Sequence, residues 1–154
     1  MTADRDWPTF LMGFARHAAT QSKDPTQVGA ALVDGRVCIL TAYNGPPAGV
    51  SDSADRFKRP RKYLFASHAE ANLIAFAART GIRTAGCTVY VTHHPCAACA
   101  RSLIQAGIHV VVHGDGTTSM PAAEFDAARE MFDEVGLEVV AFSSPPSQPE
   151  PSPC

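Results

Sequence analysis

Apolar positions near the start of the chain fall at Phe10, Leu11, Phe14 and Ala18, spacings that fit one face of a helix. This helix is predicted to begin near Asp6, with Pro8 in its first turn, where a missing N–H is tolerated. Trp7 and Phe10 are expected to anchor it by packing. Two short apolar runs follow, VGAALV at 28–33 and VCILTAY at 37–43. They read as strands joined into a hairpin by Asp34-Gly35. Residues 44–66 show no period and predict a long loop, a length that in a compact domain usually serves function. Beyond it a helix is predicted over 68–79, ended by Gly81. A buried strand follows over 87–92, then a helix over 96–106 ended by Gly107, and a strand over 109–113. A helix over 121–135 leads through Gly136 to a last strand, LEVVAF.

The resulting order, αββαβαβαβ, predicts an α/β fold, a sheet with helices on both faces. The helix between the last two strands makes them parallel, because a strand–helix–strand unit crosses over right-handed. The last dozen residues, SSPPSQPEPSPC, are rich in Pro and Ser and predict a disordered tail over 143–154. One domain over 1–142 remains.

With 154 residues and 45% apolar content the chain can bury a core of ordinary size. A net charge of −2 gives it no general attraction to nucleic acid. No apolar run approaches the roughly 20 residues of a membrane span, so no membrane partner is expected. The N-terminus has no basic segment followed by an apolar one, so no signal peptide is expected. Five cysteines, an odd and sparse set, do not suit a disulfide framework. They suit a reducing cytoplasm, where a close pair holds a metal or acts as a redox couple.

The chemistry gathers in His68-Ala69-Glu70 and Pro95-Cys96-Ala97-Ala98-Cys99. One imidazole and two thiolates are a borderline-soft set suited to Zn2+, and three protein ligands leave a fourth position for water. Cys96 and Cys99 are three apart and can share a helix face. His68 and Glu70 are two apart and would diverge inside a helix. They converge only over the helix's N-terminal end, and both segments do begin predicted helices. The positive end of a helix also favours thiolate. Glu70 is then the proton carrier beside the metal. H-x-E followed by P-C-x-x-C is the signature of the zinc deaminases. A redox reading of the Cys pair would leave His68 and Glu70 unused.

The residues further resemble the deoxycytidylate (dCMP) deaminases, a branch of the cytidine/deoxycytidylate deaminases, from about residue 10 to 140. The likeness is carried by Ser22-Lys23-Asp24-Pro25 with Gln27-Val28-Gly29-Ala30, by Tyr43-Asn44-Gly45-Pro46-Pro47-Ala48-Gly49 with Ser51-Asp52, and by Lys62-Tyr63 with Asn72. Pro95-Cys96, Cys99-Ala100 and Ile104-Gln105-Ala106-Gly107-Ile108 complete it. The resemblance implies a three-layer α/β/α deaminase fold with a mixed five-stranded sheet. It implies one catalytic zinc per chain and hydrolysis of dCMP to dUMP and ammonia. It marks Asn44 as a contact to sugar or base and the backbone at Ala30 and Ala69 as lining of the base pocket; Lys23, in the Ser-Lys-Asp-Pro segment, and His94, beside Pro95-Cys96, are further substrate-binding candidates. It also implies a homo-oligomer, commonly a hexamer, and dCTP and dTTP as effectors near the 44–52 loop. The chain departs from the family at Val50, where a Cys is frequent, so no second structural zinc is expected. It departs also at Pro46 and Leu73.

Arg56, Lys58, Arg59, Arg61 and Lys62 form a basic cluster in the long loop. Such a cluster serves as a phosphate grip, as a solvated face, or as a contact to an RNA or single-stranded DNA backbone, against which the overall charge argues. His93 and His94 sit on the rim of the expected metal site, and Cys38 and Cys87 read as small core residues. Two other readings compete with dCMP. One is a deaminase of another amino-heterocycle, such as a free base, a nucleoside or an RNA base. The other is a non-catalytic zinc-binding interaction domain, which would have no use for Glu70.

Overall fold

A computed structural model describes residues 5–143. Of the expected tail over 143–154, all but Ser143 lies outside the described residues. Helix α1 spans Trp7–Ala19, capped by the Asp6 carboxylate, which accepts from the Thr9 N–H at 3.1 Å. Strands β1 (Gly29–Asp34) and β2 (Val37–Tyr43) form the expected hairpin. Its two loop residues are Gly35 and Arg36, because Asp34 already pairs with Val37. The remaining elements are α2 (Lys62–Phe65), α3 (Ala69–Thr80), β3 (Thr88–His93), α4 (Ala97–Gln105), β4 (Val110–Gly116), α5 (Ala122–Val135) and β5 (Glu138–Ala141). Left-handed Gly81 and Gly136 close α3 and α5, where a side chain would strain the backbone.

The sheet order is β2-β1-β3-β4-β5. β1 is antiparallel to both β2 and β3, while β3, β4 and β5 run parallel, so the mixed five-stranded sheet with parallel last strands is observed. One face packs α3, α4 and α5, through Leu73, Leu103 and Phe132 against Leu32, Val89 and Val111. The other face packs α1, through Leu11, Met12 and Ala15 against Ala31, Val33 and Tyr90. The result is the three-layer arrangement.

The expected packing of α1 is corrected in part. Phe10 and Phe14 do not face the sheet; they are 55% and 36% exposed and stack edge-to-face on one another, with Trp7 beside them. Small residues explain the choice of face. A Cβ added at Gly29 would fall 1.9 Å from the Ala15 carbonyl oxygen and 2.5 Å from the Ala19 nitrogen. The helix therefore meets β1 backbone to backbone, along its Ala15–Ala19 edge. Bulky Phe10 and Phe14 could not sit there.

The long loop is also more structured than its sequence suggests. A short 3-10 turn covers Ala54–Phe57, and α2 follows it. β4 runs three residues further than expected, to Gly116.

The topology decides where a site can form. Gly29 pairs with Tyr43, Ala30 pairs with Val91, and His93 pairs with Gly116. The start of β1 and the ends of β2, β3 and β4 therefore lie at one edge of the sheet. The segments 20–28, 44–67, 94–96 and 117–121 all gather there. Ligands in open α/β sheets bind at the carboxyl ends of strands, where the chain leaves in different directions.

Candidate active site

His68 and Cys96 are the N-cap residues of α3 and α4. Glu70 and Cys99 lie in the first turns of those helices. This is the arrangement that lets residues two apart converge. The loop before α3 is pinned by a two-bond bridge: Gly45 N–H donates to the Ser67 carbonyl at 3.0 Å, and Ser67 N–H donates back to Gly45 at 2.9 Å. Asn72 Nδ2 donates to the Tyr43 carbonyl at 2.9 Å and ties α3 to the end of β2. His68 is thus held from both sides along the chain.

His68 Nδ1 lies 3.4 Å from Cys96 Sγ and 3.4 Å from Cys99 Sγ. The three ligand atoms all fall within 4.8 Å of one another, and among the described residues no other group of His, Cys, Asp or Glu gathers this way. Zinc bond lengths put neighbouring N and S ligands of a tetrahedron about 3.5 Å apart. The donor set and its spacing fit zinc. Both sulfurs are buried, whereas His68 opens into a cavity.

Electrostatics at the site follow from crowding. The Cys96 thiol is lowered to about 4, first by a hydrogen bond from Cys99 and then by His68. Cys99 is pushed up as the donor in that bond, and by burial. The Cys96 hydrogen bond raises His68. Glu70, only 3% exposed, is raised above the ordinary carboxylate value by burial. Its carboxyl lines the same cavity as His68 and Cys96.

The other expected residues divide. Asn44 and His94 line the cavity. Asn44 Oδ1 accepts from Val28 N–H at 2.9 Å and Nδ2 donates to the Thr26 carbonyl at 2.9 Å. One amide hydrogen and one lone pair remain for a ligand. His94 packs edge-to-face on His113 and Phe125, and burial lowers its pKa, as it does for His93. Ala30 and Ala69 are fully buried in the core and are not part of the cavity lining. Lys23 lies elsewhere. It pairs with Asp52 at 2.6 Å beside a separate depression lined also by Phe57 and Lys58.

Within the basic cluster only Arg59 and Lys62 reach the cavity. Lys62 Nζ forms a buried ion pair with Asp24, at 2.9 Å to Oδ1 and 3.0 Å to Oδ2. Arg59 Nη2 donates to Ser119 Oγ at 2.9 Å. Sequence reasoning passed over the loop after β4, whose Thr118, Ser119 and Met120 form one wall. Its position after a parallel strand, with a Gly-Asp-Gly-Thr-Thr-Ser run, was the available signal. Gly116 lets this loop lie against His93, since a Cβ there would fall 2.4 Å from the ring.

Comparison with known proteins agrees with this geometry. A family model described as the cytidine and deoxycytidylate deaminase zinc-binding region matches residues 5–115. An uncharacterized deaminase from the luxG 3' region of Aliivibrio fischeri is 39% identical over 86% of the chain and 91% of that protein. The deoxycytidylate deaminase of Homo sapiens is 36% identical over 89% of the chain and 80% of that protein. Among solved structures, a dCMP deaminase from the cyanophage S-TIM5, in complex with dCMP and dUMP, superposes with a TM-score of 0.72. It covers 88% of the chain and 96% of that structure at 24% identity, and shares the fold.

Proposed function

The chain belongs to the cytidine and deoxycytidylate deaminase zinc-binding family, and from that premise we propose that it hydrolyses dCMP to dUMP and ammonia. It is a zinc-dependent hydrolytic deaminase. The observation that carries the reading is the meeting of His68, Cys96 and Cys99 beside the buried Glu70 carboxyl at one open cavity. Similarity to deoxycytidylate deaminases, at 36–37% identity for two of them, supports the choice of substrate.

His68 Nδ1 and the two sulfurs would hold one zinc per chain. Bound there, zinc supplies the acidity that makes water a nucleophile near neutral pH. Glu70 can accept a proton from an attacking water as the water oxygen bonds to C4 of the cytosine ring. The carboxyl then gives the proton to N3. Glu70 next takes the proton of the new C4 hydroxyl and passes it to the amino group, so that the C4–N bond breaks, the C4 oxygen becomes the carbonyl, and the amino group leaves as ammonia while N3 keeps its proton. Asn44 turns its remaining amide hydrogen and lone pair to the sugar or base, and His94 closes the cavity against Phe125. Burial of Glu70 keeps the proton off bulk water.

The reading extends to regulation and assembly. dCTP and dTTP act as effectors at the depression flanked by Lys23 and Lys58, next to the 44–52 loop. The exposed Phe10, Tyr63 and Leu64 support a homo-oligomer, up to a hexamer. A substrate panel tests the function: dCMP, CMP, deoxycytidine, cytosine, guanine and adenine, each followed by ammonia release with and without dCTP. Preference for dCMP is expected. Turnover of a free base without turnover of dCMP would refute the reading.

A further inference from the structure

We propose that Arg59 recognises the 5′-phosphate of the substrate and that Ser119 orients its guanidinium for the task. This inference rests on the nucleotide reading above and names the residue that would make it specific.

Lys62 lines the cavity, but its ammonium is spent. It contacts both oxygens of Asp24, and the two side chains are 11% and 2% exposed. Drawing Lys62 toward a ligand would strand a buried carboxylate, which costs more than a surface phosphate contact returns. Arg61 pairs with Asp55 at 3.1 Å, and Lys23 with Asp52. Arg56 donates to the Ser51 carbonyl and lies over the Phe65 ring. None of these three lines the cavity.

Arg59 differs on each count. It lines the cavity and is exposed, and among the described residues it has no carboxylate partner. Its Nη2 is directed by one neutral acceptor, Ser119 Oγ, on the opposite wall, and Tyr63 lies under its plane at 6.0 Å. A guanidinium has five donors. One fixed by Ser119 leaves the rest of the fork free for a doubly bonded phosphate. Glu70 lines the cavity as a buried residue beside the metal ligands, whereas Arg59 and Ser119 line it as exposed residues. A nucleotide lying along it would place its base beside the first and its phosphate beside the second.

The test uses the zinc-loaded full chain. Binding of dUMP and of deoxyuridine is measured by calorimetric titration, and steady-state kinetics are run on dCMP and deoxycytidine. For Arg59→Gln the dUMP affinity should fall roughly 10- to 100-fold, the range of a lost charged hydrogen bond. KM for dCMP should rise in step, with kcat and all deoxycytidine values little changed. Arg59→Lys, which keeps the charge and loses the fork, should lie between. Ser119→Ala should cost a smaller factor, roughly fivefold. Unchanged dUMP binding in Arg59→Gln, or equal losses on dUMP and deoxyuridine, would overturn the proposal. A wild-type protein that deaminates no cytosine nucleotide yet binds dUMP through Arg59 would uphold the proposal and overturn the dCMP reading alone.

Discussion

Replacing Lys62 with Met tests how the cavity wall is built. In the folded chain Asp24 is 2% exposed at its side chain, and its oxygens lie 2.9 and 3.0 Å from Lys62 Nζ. Asp24 Oδ1 also accepts from Thr26 N–H at 2.8 Å, and Ser22 Oγ accepts from Asp24 N–H at 3.2 Å. The pair joins α2 to the 22–26 segment, and that segment in turn holds Asn44. Lys62→Met keeps most of the side chain's volume but leaves a carboxylate buried without its cation. Breaking a buried pair in this way costs about 3–5 kcal/mol. At about 2–4 °C per kcal/mol for a chain of this size, Tm should fall by roughly 6–20 °C. Asp24→Asn together with Lys62→Met removes the stranded charge while keeping the acceptor for Thr26. The double variant should recover much of the loss, with a coupling of at least about 2 kcal/mol in the cycle. Urea denaturation of the four proteins measures it. A loss under about 1 kcal/mol for Lys62→Met, or strict additivity, would refute the view of Lys62 as a structural cation. It would also reopen Lys62 as a phosphate ligand.

Two further predictions concern α1. Gly29→Ala puts a methyl group into the backbone of Ala15 and Ala19, so α1 must lift from the sheet; a loss of about 3 kcal/mol or more is expected in thermal denaturation, and wild-type stability would contradict the close contact. At the N-cap, hydrogen bonding from Thr9 holds the Asp6 carboxyl below its ordinary 3.8. The stabilisation is therefore fully present above that value and is lost as pH falls through the lower folded one. The Tm gap between wild type and Asp6→Ala should stay constant from neutral pH to about 5 and close in stronger acid. A gap that widens in acid would reverse the sign.

The order of elements could be read because each strand is bounded by a turn signal and each helix by a cap. Asp34-Gly35 and the αL glycines at 81 and 136 mark ends that periodicity alone leaves open. The convergence of His68, Glu70, Cys96 and Cys99 was legible from spacing, since only helix N-termini satisfy both intervals. The face of α1 was not. That helix carries two apolar edges, Phe10–Phe14 and Leu11–Ala15–Ala18, and spacing ranks them equally. The choice between them depends on Gly29, a residue in another element that admits only small partners. The rest of the pocket lining, beyond Asn44, His68, Glu70, His94 and Cys96, was illegible for a similar reason. Asp24, Arg59, Lys62 and Ser119 come from three segments far apart in sequence, and only the crossing of β1 between β2 and β3 brings their loops to one edge. Charge counts along the 56–62 loop cannot tell Lys62, paired with Asp24, from Arg59, which has no carboxylate partner among the described residues.

In the proposed mechanism Glu70 moves the protons of deamination beside a zinc held by His68, Cys96 and Cys99. Ammonia release from dCMP by Glu70→Gln, with zinc content determined on the same sample, tests that role. The expected result is a full complement of zinc and a rate lower by a factor on the order of 100 to 10,000. Wild-type turnover by zinc-loaded Glu70→Gln would contradict the claim.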